Sequence, residues 1–346
     1  MRVNISPINQ RRWSNFKANK RGYYSLWIFL TLFGLSLFAE FIANDRPILM
    51  QHDGSLYMPI FFSYSERDLG GTHDIKADFY DPHVRSLIEQ EGNWAIWPLI
   101  PYRYDTINFA IEEPAPAPPS QQHLLGTDDG AKDTLARLIY GFRLSVAFGL
   151  ALTFLSSIIG IAVGAVQGYF GGNIDLFGQR IVEIWQGLPV LFLLIILASI
   201  VEPNFLWLLG LLVLFSWMSL VGVVRAEFLR ARNFDFVRAA KALGVSNGTI
   251  MWRHVLPNAM VATLTFLPFV LNGSITTLTA LDFLGFGLPP TAPSLGELLA
   301  QGQANVRAPW LGLTGFFTLA VTLTLLIFVG EAVRDAFDPR KVVKQD

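Results

Sequence analysis

Six stretches of the chain lack Asp, Glu, Lys and Arg over lengths that suit a membrane crossing. Spanning the roughly 30 Å hydrocarbon core of a bilayer takes about 20 helical residues, and these gaps between charged residues contain 18 to 31 residues. We therefore predict an all-α polytopic membrane protein with about six transmembrane helices, and a soluble all-helical protein is the alternative. The predicted crossings are 23–43, 143–169, 177–201, 205–227, 258–284 and 310–334.

Composition supports lipid as the main solvent. Only 15% of the 346 residues are charged and 52% are hydrophobic, whereas an average soluble domain has about 25% charged residues. The net charge of −1 argues against nucleic-acid binding through overall charge. The chain has no cysteine, which excludes disulfides, thiolate catalysis and cysteine-ligated metal.

The distribution of charge predicts the orientation of the chain in the membrane. The tail 1–22 has six basic residues and no acid, and the loop 228–257 is also basic, so the positive-inside rule places both in the cytoplasm. The segment 44–135 has six basic and fifteen acidic residues and is predicted to lie on the opposite, outer side. Six crossings return the tail 336–346 to the cytoplasm. We expect a multi-pass membrane protein with a helical core over 136–335.

The first crossing, 23–43, has two interpretations. Its apolar run is longer than that of a usual signal peptide, and Glu40 to Ala43 is a poor cleavage site, which favours a retained anchor. A cleaved signal peptide is the alternative.

Four of the five histidines fall in the outer segment 44–135. Their spacings match no local metal-ligand motif, so we predict solvated surface histidines and no metal site, with a metal site as the alternative. These residues are His52, His73, His83 and His123.

The loop 228–257 predicts a helical hairpin. A helix from Phe234 to Leu243 would end at Gly244, which suits the left-handed position that follows a helix. Ser246 would cap a second short helix that runs toward Val255. A docking element for a partner protein and an amphipathic connector on the lipid surface are both compatible with this pattern.

Two stripes of residues stand out inside the predicted crossings. Small residues recur at every fourth position of the second crossing and predict a helix-packing face, and these are Ser156, Gly160, Gly164 and Gly168. Polar residues fall near one stripe of the fifth crossing and indicate either pore lining or interhelical hydrogen bonding. These polar residues are Thr265, Asn272, Thr276 and Thr279.

The chain lacks an energy source of its own. The central turns of the second, fourth, fifth and sixth crossings contain no ionisable residue, whereas proton- or ion-coupled transporters keep acids there. The third crossing has Arg180 and Glu183, three residues apart near one end. No G-x-x-x-x-G-K-[ST] phosphate loop, H-E-x-x-H or G-x-S-x-G motif is present. We expect no catalysis and no bound ATP in this chain.

Three motifs resemble the permeases of binding-protein-dependent dipeptide and oligopeptide ABC importers. Phe236 to Gly244 with Ile250 and the run Leu256-Pro257-Asn258 is similar to the EAA loop of that family. Leu125 to Asp133 resembles the entry to the permease core, and Leu281 to Leu288 resembles a later family segment. The long acidic outer segment further resembles the microcin C (Yej-type) class of these peptide importers.

This resemblance implies a type I (MetI-like) permease core with an enlarged periplasmic loop. It also implies a second homologous permease, two ABC ATPases that bind ATP and Mg²⁺, a periplasmic peptide-binding protein and a peptide substrate. The residues that would couple to the ATPase are Arg238, Ala239, Ala240, Gly244, Ile250, Leu256 and Pro257. Arg238 stands where relatives have Glu, so an ion pair that relatives form with the ATPase is not available here. A self-powered transporter, a membrane enzyme and a membrane scaffold are the rival classes.

Overall fold

The structure is a computed structural model that describes residues 7–88, 92–111, 113–198, 200–201 and 203–338. Residues 1–6 and 339–346 of the two predicted tails, and residue 199 of the third predicted crossing, lie outside the described residues. The helices before the permease core are α1 (Pro7–Ala18), α2 (Lys20–Leu37), α3 (Ala39–Ile42) and α4 (Pro82–Ile88). Those of the core are α5 (Thr134–Phe170), α6 (Gly172–Gln186), α7 (Val190–Ala198), α8 (Phe205–Ser216), α9 (Met218–Ala231), α10 (Asp235–Ala242), α11 (Asn247–Thr249), α12 (Leu256–Phe283), α13 (Leu295–Ala304) and α14 (Pro309–Phe337). The strands are β1 (Leu49–His52), β2 (Ser55–Tyr57) and β3 (Trp94–Ile96).

Long apolar helices confirm the largely helical membrane fold. Four helices among the described residues are long and apolar enough to span a bilayer, and α6 with α7 forms a fifth candidate that is bent by 61°. Pro189 lies at that bend, where its ring and missing N–H interrupt a helix. The first predicted crossing, 23–43, overlaps α2 and α3, and neither is among these candidate spans. The four long helices are Thr134–Phe170, Phe205–Ala231, Asn247–Phe283 and Pro309–Phe337.

The chain divides into two compact units. The first comprises Met1–Thr31, Ser145–Pro289 and Leu319–Asp346. The second comprises Leu32–Leu144 and Pro290–Thr318.

In the first unit, α12 and α14 run antiparallel. Asn272 on α12 donates from Nδ2 to the Leu323 carbonyl oxygen at 2.9 Å, and a β-carbon at Gly330 would lie 2.7 Å from the Phe269 ring. The beginning of α2 lies beside the end of α14, because a β-carbon at Gly22 would meet Ala332. The beginning of α2 and the end of α14 therefore lie at the same end of this helix pair.

The second unit contains a three-stranded antiparallel sheet that the sequence pattern did not predict. The strand order is β2-β1-β3, with Gln51 opposite Leu56 in one pair and Met50 opposite Ala95 in the other. One face of this sheet covers a small apolar cluster, which explains how part of the acidic outer segment can fold. The buried members of this cluster are Met50, Leu69, Ala77, Phe79, Val84 and Ile88.

Two of the four outer histidines are buried, so the prediction of solvated surface histidines is wrong for His52 and His123. His52 Nδ1 lies 3.0 Å from the Asn93 amide nitrogen. His123 Nδ1 lies 2.9 Å from an Asp133 carboxylate oxygen. Hydrogen bonding compensates the loss of hydration in both cases. The exposed histidines are His73 and His83.

Candidate functional site

The predicted hairpin is present and is built from local capping chemistry. Helix α10 ends at Ala242, and Gly244 follows it with a left-handed φ of 76°. The Gly244 N–H donates to the Lys241 carbonyl, and the Val245 N–H donates to the Ala240 carbonyl. These two bonds form the Schellman motif that glycine favours after a helix. Ser246 then caps α11 by accepting a hydrogen bond from the Thr249 N–H.

The second arm of the hairpin differs from the predicted short helix. After α11 it passes through a π-helical segment, Ile250–Val255, and continues directly into α12. Asn247–Phe283 is therefore one 37-residue helical rod.

Apolar side chains hold the hairpin against the ends of α5 and α9. Val237, Ile250 and Val255 are buried in one cluster with Tyr169 and Phe228. The Tyr169 hydroxyl also donates to the Asn247 side-chain oxygen at 2.8 Å. Phe234, immediately before α10, is exposed.

Burial separates the predicted coupling residues into two groups. The exposed ones are Arg238, Ala239, Gly244 and Pro257, and those that are buried or partly buried are Ala240, Ile250 and Leu256. Sequence reasoning did not single out the strongest features of the exposed surface. Leu243 is 82% exposed and Trp252 is 68% exposed. Phe236, on the first arm of the same hairpin, is also exposed. Large apolar residues in a basic loop were the signal that could have identified them.

The polar stripe of α12 does not form one exposed surface. Thr265 and Thr279 are buried, so the pore-lining prediction is wrong for them in this conformation. Their hydroxyls donate to carbonyl oxygens of their own helix. Asn272 makes the interhelical bond to α14 described above, which was the alternative interpretation. Thr276 is the exposed member of the four.

The small residues of α5 lie against the segment Trp217–Phe228. A β-carbon at Gly160 would lie 2.4 Å from the Trp217 carbonyl oxygen, and one at Gly168 would lie 2.5 Å from that of Arg225. Gly164 approaches the Val221 carbonyl oxygen similarly, and Ser156 is buried at the start of this face. Glycine is required here because two backbones approach too closely for a side chain.

Replacing Gly160 by Leu is expected to destabilise the first unit. Overpacking of this kind costs about 1–3 kcal/mol, because the Trp217 backbone would have to move. Gly210→Leu is the matched control, since a β-carbon at Gly210 on α8 meets nothing within 4 Å. Thermal unfolding in detergent should show a lower Tm for G160L and an unchanged Tm for G210L. Equal Tm values for the two variants would contradict the packing role of Gly160.

The charged residues of the third and fourth crossings are paired. Arg225 on α9 donates two hydrogen bonds to the two carboxylate oxygens of Asp175 on α6, at 2.5 and 2.7 Å. Arg180 pairs with Glu183 one helical turn away. A bidentate pair of this geometry limits the cost of holding charges near lipid.

In the second unit, one buried arginine joins the segment 125–133 to α13. Arg137 is 2% exposed and donates to the Asp128 carboxylate and to the Glu297 carboxylate on α13. Trp310 reaches the same loop, because its indole N–H donates to the Thr127 carbonyl oxygen at 3.2 Å. The segment 125–133 was recognised in the sequence, but Arg137 was not.

Burial shifts the pKa of carboxyl groups near Arg137. Desolvation raises the pKa of the Glu297 carboxyl above its ordinary value, although the nearby Arg137 acts in the opposite direction. Burial and the neighbouring Asp128 also raise the pKa of Asp129. The Arg137 guanidinium therefore pairs with two of these acids, Asp128 and Glu297, while Lys132 also lowers the pKa of Asp129.

Known proteins resemble the chain over most of its length. The family described as "Binding-protein-dependent transport system inner membrane component" matches residues 156–343. The inner membrane ABC transporter permease protein YejE of Escherichia coli K12 is 61% identical, and the alignment covers 98% of this chain and 99% of that protein. The peptidoglycan transport system permease protein YejE of Agrobacterium fabrum is 56% identical, with 98% and 95% covered. The oligopeptide transport system permease protein OppC of Lactococcus lactis strain IL1403 is 32% identical, with 66% and 79% covered.

Proposed function

The chain belongs to the family of binding-protein-dependent transport system inner membrane components, and from this premise we propose that it forms one half of the transmembrane channel of an ATP-driven peptide importer. The observation that carries this proposal is the 61% identity to an ABC transporter permease over nearly the full length of both chains. The exposed hairpin supports the same function, because a permease that does not hydrolyse ATP itself needs a surface on which a separate ATPase can act. A self-powered transporter or a scaffold without a substrate path is not favoured.

The proposed cargo is a peptide or a peptide-bearing compound. The names of two relatives specify oligopeptides and peptidoglycan, and peptide chemistry is common to both. Microcin C is a third candidate cargo, from the Yej-type resemblance of the long outer segment. All three contain peptide bonds, which polar groups that line a hydrated channel can recognise.

The proposed partners are a second homologous permease, two ABC ATPases and a periplasmic binding protein. ATP and Mg²⁺ would bind to the ATPases and not to this chain. The hairpin 234–257 would face the ATPases from the cytoplasm, with both chain ends on the same side. The basic residues of the N-terminal tail and of this loop support that orientation.

Reconstitution tests this function. Vesicles that contain this chain, a partner permease and the ATPases are expected to take up an oligopeptide only with ATP and the binding protein. Purified chain alone should neither hydrolyse ATP nor move peptide. Uptake by this chain alone down an ion gradient, or uptake that is independent of ATP, would contradict the proposal.

A further inference from the structure

A turn in the outer segment exposes several large apolar side chains. Residues 54–65 contain no charged residue, although segment 44–135 has a net charge of −9. The turn Met58–Phe62 follows β2, and the N–H groups of Phe61 and Phe62 both donate to the Met58 carbonyl oxygen. Phe61 is 65% exposed and Phe62 is 60% exposed. Two adjacent phenylalanines so exposed to water need a partner.

The turn lies at the far end of the first crossing. The Phe61 ring packs edge-on against Phe41, with ring centroids 5.8 Å apart. The predicted first crossing, 23–43, ends two residues after Phe41. A crossing of about 20 helical residues matches the ~30 Å thickness of the hydrocarbon core. The prediction therefore places Phe41 near the outer edge of the hydrocarbon, and Phe61 packs against it.

The exposed apolar surface of this crossing continues onto the turn. Leu35, Leu37 and Phe38 at the end of the crossing are all exposed, and the Phe38 ring contacts that of Phe41. The Phe41 ring in turn packs against Phe61 on the turn. These side chains form one apolar series that runs from the predicted first crossing onto the turn.

The turn is held in place by the rest of the second unit. Its Pro59 is buried, and the Pro59 carbonyl oxygen accepts a hydrogen bond from Arg46 at 3.4 Å. The Met58 N–H donates to the Tyr64 hydroxyl at 3.3 Å. Phe61 and Phe62 are thus presented by a fixed backbone, which lowers the entropy cost of binding.

We propose that the turn Met58–Phe62 inserts into the bilayer leaflet at the C-terminal end of the first crossing, with Phe61 and Phe62 as anchors. Aromatic side chains favour this interfacial region, and insertion removes their apolar surface from water. Lipid is the occupant because the turn touches the end of a membrane helix and carries no charge. The anchor would fix the sheet β2-β1-β3 at the membrane surface.

The absence of cysteine allows a direct measurement of depth. Phe62→Cys, labelled with a nitroxide in the full importer in vesicles of phosphatidylethanolamine and phosphatidylglycerol, should collide more with oxygen than with a water-soluble nickel chelate. The expected immersion is about 5–10 Å, as for other interfacial elements. Phe109→Cys is the matched control, because Phe109 is 91% exposed and is followed in sequence by Glu112 and Glu113. A nitroxide at position 109 should collide more with the water-soluble nickel chelate than with oxygen.

Two results would overturn the proposal. One is equal access of the nickel chelate to labels at positions 62 and 109. The other is protection at position 62 that appears only when the binding protein is added, which would make the turn a protein-docking surface. Met58→Cys serves as the second labelled variant if F62C does not assemble, since it retains both phenylalanines.

Discussion

Gly244→Asp is expected to abolish ATP-driven uptake while membrane insertion and folding stay intact. A β-carbon at Gly244 meets nothing within 4 Å in this chain, so the substitution causes no internal clash. Its φ of 76° adds only a modest backbone strain for Asp, which tolerates left-handed conformations better than most residues. The large effect comes from a carboxylate in the proposed contact with the ATPase. An unpaired buried charge costs about 3–5 kcal/mol, which weakens docking at least ~100-fold.

Gly244→Asn is the matched control for that experiment. Asn has the same shape as Asp and the same tolerance of the left-handed conformation, but it has no charge. We expect G244N to retain uptake within a few-fold of the unchanged protein. Uptake and co-purification of the ATPase should be measured together in both variants. Normal ATP-driven uptake by G244D would contradict the docking role of the hairpin, and equal loss in both variants would assign the effect to the backbone.

Arg137→Ala is expected to destabilise the second unit more than any other single charge removal in the ion pairs described above. Arg137 is buried between the carboxylates of Asp128 and Glu297, and its removal leaves both without a cation. Breaking such a buried network costs about 3–5 kcal/mol. Limited proteolysis of the outer segment and thermal unfolding in detergent would measure the loss. A decrease in Tm of about 10 °C corresponds to that free energy for a unit of this size.

Arg143→Ala provides the comparison within the same helix. Arg143 pairs with Glu40 through two hydrogen bonds of 2.9 Å, but both side chains are partly exposed to solvent. An exposed pair contributes about 0–1 kcal/mol, so R143A should unfold almost like the unchanged protein. A triple variant R137M/D128N/E297Q should recover most of the stability lost in R137A, because it removes the uncompensated charges. Failure of that recovery together with an equally severe R143A would contradict the network.

The lengths of the helices can be predicted only in part from the local sequence. The second crossing was predicted over 143–169, but α5 begins at Thr134. The prediction stopped at Arg143 because a charge is costly in lipid. The helix continues beyond it because Arg137 and Arg143 each find a carboxylate from a distant part of the chain. A charged residue therefore limits the apolar span without ending the helix.

The hairpin and the fifth crossing also combine features that the local sequence predicts with features that it does not. Gly244 and Ser246 were predicted correctly, since a helix cap depends on the few residues around it. The burial of Thr265 and Thr279, and of His52 and His123, was not predicted. Which side of a helix is covered depends on elements that are far away in sequence, and no local pattern contains that information.

The order of apolar and charged residues by itself determined the membrane class, most of the approximate crossings and the capped hairpin. These depend on the length of a lipid-compatible run and on hydrogen bonds between near neighbours, which a linear sequence contains. Only the tertiary structure decided which polar groups are buried, that Arg137 joins the segment 125–133 to α13, and that Phe61 meets Phe41 at the end of the predicted first crossing. Those features come from contacts between residues far apart in the chain, where many pairings satisfy the same composition and packing selects one.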